Sequence, residues 1–310
     1  MAAPRGKKKR APKPPRVFTT APVGLMTPEQ ATERFGGQTD TVMRGNPDVL
    51  VGLLRGAEAD VLVELLIPLL WAGISEGTPA NVCVDASLTL KHAYAQFGIA
   101  SAVRVVDLVV EQASGRRRMY GTPTPTWSGP DENVFNGHAV LVLPDSGRYV
   151  DATVEQFDVI RRLNMGPLIG KAVASTAPGL NGAGFLAAGT MFAAKRGNLT
   201  LVYTVAEERY SQVIETQRWV QQFEPQHHRA GVNLASLALL ALRNPDVIER
   251  ACNAPYPRLK ALLEAIGQAE ERNIDGNVHF LLPGLNGELV PTLLDQVLAN
   301  SVAPSTEALG

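Results

Sequence analysis

Cys83-Val-Asp-Ala-Ser-Leu-Thr-Leu-Lys-His-Ala-Tyr-Ala-Gln-Phe-Gly98-Ile99-Ala-Ser-Ala102-Val-Arg is the stretch on which the fold turns. Within it Cys83, Ala86, Leu90, Tyr94 and Phe97 recur at i, i+3 and i+4 spacing, the signature of a helix with one buried face. Thr78-Pro79 upstream supplies a helix start, and Gly98 a stop. The cysteine therefore lies on the buried stripe near the N-terminal end of its helix. The Val-rich run 99–110 reads as a strand. Residues 111–136 are polar, rich in Gly and Pro and contain Trp127, which reads as a long loop. Two short strands follow, His138–Leu143 and Arg148–Ala152, joined by Pro144-Asp145-Ser146-Gly147 with good hairpin chemistry. Pairing Leu143 with Arg148 across that turn sets His138 opposite Thr153. Asp151 then shares the face of His138 on the diagonal, roughly 7–8 Å away, within reach of an imidazole–carboxylate bond. A register shift of two brings them directly opposite.

A cysteine opening a helix, then a strand, then a histidine and an aspartate on a hairpin is the order of a thiol acyl-transfer site. Free amides and the positive dipole end of a helix N-terminus favour a thiolate. A neighbouring imidazole takes the thiol proton and pairs with the resulting anion. A carboxylate fixes the imidazole's tautomer and orientation. An oxyanion hole needs donors as well. The Cys83 backbone N–H is one, and Asn81 either supplies a side-chain amide or caps the helix; Asn136 is a weaker candidate.

These residues resemble the transglutaminase-like superfamily of papain-like Cys-His-Asp thiol enzymes. There a cysteine opens a helix that ends at a Gly-Ile before a strand. His138-Ala139-Val140 resembles that family's histidine strand, and Tyr149-Val150-Asp151-Ala152-Thr153 its W-x-x-D-P-T strand. The resemblance covers about residues 78–155. It implies Cys83 as nucleophile, His138 as general base and Asp151 as the residue that orients it. Val84 and Val140 stand where the family often carries aromatic residues, and Ala152 replaces the proline. The same Cys–His–Asp order occurs in arylamine N-acetyltransferases, which fit less well.

The 310 residues are 45% hydrophobic and 19% charged, which excludes a chain disordered throughout. Residues 1–16 hold seven Lys or Arg and no acid, leaving 22 basic against 30 acidic residues in the body, about −8. An acidic body is a poor general nucleic-acid binder, so docking on nucleic acid or an anionic surface would fall to the tail. Prolines where a secretory signal needs an apolar run lead to a cytoplasmic expectation, non-classical export aside. Cys83 and Cys252 are too few and too far apart for a disulfide framework or a Cys-rich zinc site, and His227-His228 lacks a second ligand cluster. His279 sits in an apolar strand-like stretch, and His92 reads as exposed, away from the Cys83 stripe. No metal, cofactor or transmembrane segment is expected; the uncharged run 172–194 reads as a loop or small-residue packing segment.

The expected class is α+β: a transglutaminase-like core with the catalytic helix packed on an antiparallel sheet, flanked by N- and C-terminal helical regions. The divisions are a basic Pro-rich tail (1–20), a helical region (21–77) with a start at Thr27-Pro28-Glu29 and helices at 46–56 and 58–73, the second broken or kinked near Pro68, the core (78–205) with a last strand at 198–205, and a C-terminal helical region (206–300) with helices at 206–222, 230–243, 245–253, 257–272 and 290–300. A flexible tail (301–310) ends the chain. Three functions follow from this pattern: a thiol hydrolase or acyltransferase acting on a protein or peptide, a catalytically degenerate binding module, or a protein docked through its basic tail.

Overall fold

A computed structural model describes residues 58–75, 82–122, 124–129, 134–163, 166–171, 187–284 and 286–301. The basic tail, the helix start at Thr27, the helix at 46–56, Thr78-Pro79, Asn81, residues 172–186 and the 302–310 end lie outside the described residues.

In chain order the elements are α1 (Ala59–Ile74), α2 (Cys83–Gln96), β1 (Ala102–Gln112), β2 (Arg117–Tyr120), β3 (Thr126–Ser128), β4 (Val134–Asn136), β5 (His138–Leu143) and β6 (Arg148–Asp151). A 3-10 turn at Val154–Gln156 leads to α3 (Asp158–Arg161), β7 (Leu168–Lys171), β8 (Met191–Arg196) and β9 (Leu199–Val205). Then come α4 (Glu208–Thr216), α5 (Arg218–Leu242), α6 (Ile248–Cys252), α7 (Pro257–Ile266), β10 (Glu271–Ile274), β11 (Asn277–Pro283), β12 (Leu289–Thr292) and α8 (Leu294–Ser301). The class is α+β. The main sheet is antiparallel in the order β7-β6-β5-β1-β9-β8, with β2 added to the far half of β1.

The side-chain period of two sorts this sheet into two faces. Val103, Val105, Ala139, Leu141, Leu143 and Val150 face a large core built with α1, α2, α5 and α7. Val106, Leu108, Val110, Val140, Val142, Tyr149 and Tyr203 face a second, aromatic-rich core closed by α3. The β5–β6 register is Leu143↔Arg148, Val142↔Tyr149 and Leu141↔Val150, as the four-residue turn dictates.

Helix α2 ends where Gly98 takes a positive φ of 74°. Its crossing with α5 is close at Gly231, where a Cβ would stand 2.4 Å from the His92 Cβ and 2.8 Å from the Thr89 carbonyl oxygen. Pro68 does not break α1, which runs through it. The carbonyl orphaned by the missing proline N–H is that of Glu64, and the Tyr94 hydroxyl donates to it at 2.6 Å.

Several sequence expectations are corrected. The stretch 111–136 is not one structureless loop: β2 pairs with β1, and β3 with β4. The C-terminal region is not all helical, because β10, β11 and β12 form a second antiparallel sheet. The helix expected at 257–272 stops at Ile266 before Gly267, and the one expected at 290–300 starts only at Leu294, after an edge strand. The break expected between 222 and 230 falls at Gln217, whose extended ψ of 132° starts α5. Pro225 lies inside α5, where the carbonyl it orphans belongs to Gln221, an exposed residue. His92 is half-buried rather than exposed: it meets Glu224 at 3.1 Å and stands edge-on to His228, because α5 is long enough to cross this face of α2.

Candidate active site

Cys83 is the first residue of α2, after Val82 at the cap position. The opening amides of a helix have no intrahelical acceptor and point past this residue. Its side chain is 4% exposed and belongs to the helical core. His138 opens β5 and is fully buried. Asp151 closes β6 and is 1% exposed. The parity read from the hairpin puts both on the aromatic face of the sheet, and the His138 Nε2 and Asp151 Oδ2 are 2.7 Å apart.

The remaining oxygens and nitrogens of this group are nearly all engaged. Tyr203 in β9 donates its hydroxyl to Asp151 Oδ2 at 2.9 Å, and the Thr153 backbone N–H donates to Oδ1 at 3.2 Å. Gln156 sets its side-chain nitrogen 3.1 Å from His138 Nδ1 and 3.3 Å from the Thr153 hydroxyl. The edge of the His138 ring meets Phe157, and its face lies over Tyr203.

Electrostatics follow from this packing. Burial works against a charged His138, but the Asp151 carboxylate, by charge and by hydrogen bond, outweighs it. The Cys83 thiol adds a hydrogen bond and a charge contribution in the same direction, and the imidazole's pKa is pushed up to about 10. Burial keeps the Tyr203 phenol protonated far above its ordinary range, aided by the charge of Asp151, so it remains a donor. With Nε2 given to Asp151, Nδ1 is the nitrogen left for the thiol. Such a group can take a proton from a thiol and return it to a leaving amine.

Trp127, Phe135 and Trp219 pack against the core that contains Cys83, with ring centroids 4.9 Å apart for Trp127 and Phe135 and 5.8 Å for Trp127 and Trp219. Phe135 folds over Gly137, the residue before His138, where a Cβ would come within 2.6 Å of its ring.

Three residues named from sequence thus come together: Cys83, His138 and Asp151. Asn81 lies outside the described residues. Asn136 is spent on the Ser128 hydroxyl, at 2.8 Å. His227 and His228 face carboxylates, Asp85 at 2.8 Å and Asp295 at 3.2 Å. Among the described residues no cluster of three or more His, Cys, Asp or Glu could hold a metal, and no helix is long and apolar enough to cross a membrane. Tyr203 and Gln156 were missed. Tyr203 was legible as an inward residue of a strand, but which strand lay beside Asp151 was not; nothing in the local sequence marks Gln156.

Comparison of the chain with family models, curated proteins and solved structures found no match.

Proposed function

We propose that this chain is a thiol acyl-transfer enzyme on a transglutaminase-like core, hydrolysing an amide or peptide bond of a protein or peptide substrate. The observation that supports it is His138: a buried imidazole held by Asp151 at 2.7 Å on one nitrogen and engaged by a helix-opening cysteine.

In this reading the Cys83 proton passes to His138 Nδ1, and the thiolate attacks the carbonyl carbon. The C=O π pair moves to oxygen, and the Cys83 backbone N–H is the donor nearest to hand. Collapse breaks the C–N bond, and the departing amine takes the Nδ1 proton. Water then adds to the thioester, giving its proton to Nδ1 as the C–S bond breaks and the thiol is restored. Val84 and Val140, where the resemblance puts aromatic walls, are the ground for water rather than an amine as acceptor.

The test is alkylation of Cys83 by iodoacetamide across a pH series, in the native chain and in Cys83→Ala and His138→Ala variants. Labelling well below about pH 8.5, the ordinary thiol range, that is lost or shifted upward in His138→Ala supports the enzyme. The near-complete burial of both Cys83 and His138 favours a second reading, a catalytically silent binding module. Cys83 that stays unlabelled in the native chain while Cys252 reacts would select that one.

A further inference from the structure

Resting on the acyl-transfer reading above, we propose that Gln156 is a positioning residue of the site: its amide stands on His138 Nδ1, the nitrogen that Asp151 does not take, and tempers how firmly that nitrogen keeps a proton. The ring has two nitrogens, and Nε2 is committed to Asp151 Oδ2 at 2.7 Å. Every proton exchanged with Cys83 must then cross Nδ1, and the Gln156 nitrogen already stands 3.1 Å from it. The chain delivers Gln156 there by a local device. The Thr153 N–H closes onto Asp151 Oδ1, and one 3-10 turn, with Val154 and Glu155 buried, carries the next side chain back over the imidazole.

Gln156 presents its NH2 to the ring, and the same nitrogen donates to the Thr153 hydroxyl at 3.3 Å. An N–H aimed at Nδ1 needs a lone pair there and so favours the imidazole unprotonated at that atom. The other titratable groups facing the ring are Cys83 from α2, Asp151 from β6 and Tyr203 from β9, with Tyr149 and Arg196 around the carboxylate behind it. Asp151 and Cys83 draw a proton onto His138, and Gln156 opposes them at the one nitrogen where the thiol proton arrives. Its effect is to speed release of that proton to the leaving amine, at the expense of the resting imidazolium–thiolate pair.

The experiment is the pH–rate profile of Cys83 alkylation in the full chain, comparing wild type with Gln156→Leu, Thr153→Val and, as control, His138→Ala. With the opposing N–H removed, Gln156→Leu should label roughly fivefold faster near pH 6.5, the scale of one neutral hydrogen bond. Thr153→Val, which only unties the amide, should move the same way by less. A Gln156→Leu profile that overlays wild type, or one that is slower with an unchanged urea midpoint, overturns the assignment. The acyl-transfer reading survives either result as long as His138→Ala still suppresses labelling. His138→Ala labelling like wild type overturns both. Should Gln156→Leu fail to unfold cooperatively, Thr153→Val is judged by the same criteria.

Discussion

Replacing Tyr94 by Phe removes one oxygen and leaves the ring's volume in place. That oxygen is the donor at 2.6 Å from the Glu64 carbonyl, which Pro68 deprives of its helical partner. Glu64 and Tyr94 are both fully buried, so no solvent route replaces the bond. Burial also raises the phenol's pKa well above its usual value, which keeps it a donor through the working pH range. An orphaned buried carbonyl costs about 1–3 kcal/mol. At about 2–4 °C per kcal/mol for a large domain, the melting temperature should fall roughly 2–12 °C. Pro68→Ala restores the missing N–H, so in the Tyr94→Phe background it should recover about 1 kcal/mol more than it yields in wild type. Urea unfolding of the four proteins closes the cycle. Tyr94→Phe within about 0.5 kcal/mol of wild type, the ordinary scatter of inert substitutions, or a Pro68→Ala that recovers nothing, would refute the reasoning.

Other outcomes follow from the same contacts. Arg148→Met strips buried Glu64 of its ion-pair partner at 2.8 Å and leaves it, among the described residues, the Tyr256 hydroxyl, so equilibrium unfolding should show a loss of about 3–5 kcal/mol that Glu64→Gln in the same chain largely restores. His138 titrates near 6.5 when unfolded and near 10 when folded, so folding takes up a proton between those values. Its stabilisation is complete below about pH 6.5 and lost as pH rises through about 10; urea midpoints should fall over that window in wild type and stay flatter in His138→Gln. Gly231→Ala drives a methyl into the backbone of α2 and should cost about 1–3 kcal/mol by calorimetry, with an altered rate of Cys83 labelling because α2 carries the thiol; an unchanged melting temperature would count against the close crossing.

What was legible in the sequence was local or periodic. The stripe from Cys83 to Phe97 gave the helix, and the turn Pro144–Gly147 set the register that puts His138 and Asp151 on one face. What was not legible depended on partners distant in sequence. Gly/Pro content made 111–136 look like loop, yet β2 exists because the far half of β1 has an edge open beyond the end of β5. Pro68 was read as a break or kink, yet it sits inside a helix because a tyrosine thirty residues beyond Glu64 answers the orphaned carbonyl. In the C-terminal region the strand-like stretch around His279 was legible, but its two partners were hidden because Glu271–Ile274 and Leu289–Thr292 are mostly exposed edges with little apolar alternation. Tyr203 lies 52 residues from the carboxylate it donates to, a separation across which a single sequence carries no pairing signal.

The three site residues belong to different parts of the interior, and this bears on how the site responds to strain. Cys83 is packed in the helical core, while Tyr203 belongs to the aromatic core on the opposite face of the sheet and Phe157 packs against that core. His138 stands at the first position of β5, influenced by the thiol of one core and flanked by aromatic rings of the other. Asp151 holds its ring at 2.7 Å and is itself held by the Tyr203 hydroxyl at 2.9 Å and the Thr153 N–H at 3.2 Å, whereas the thiol is placed by how α2 docks on the sheet. The Cys83–His138 separation therefore reports the seating of α2 between α1, α5 and the sheet. Changes far from the triad that shift that seating, at Gly231 or at the Tyr94–Glu64 bond, should alter thiol reactivity before they unfold the chain, while leaving the His138–Asp151 bond intact.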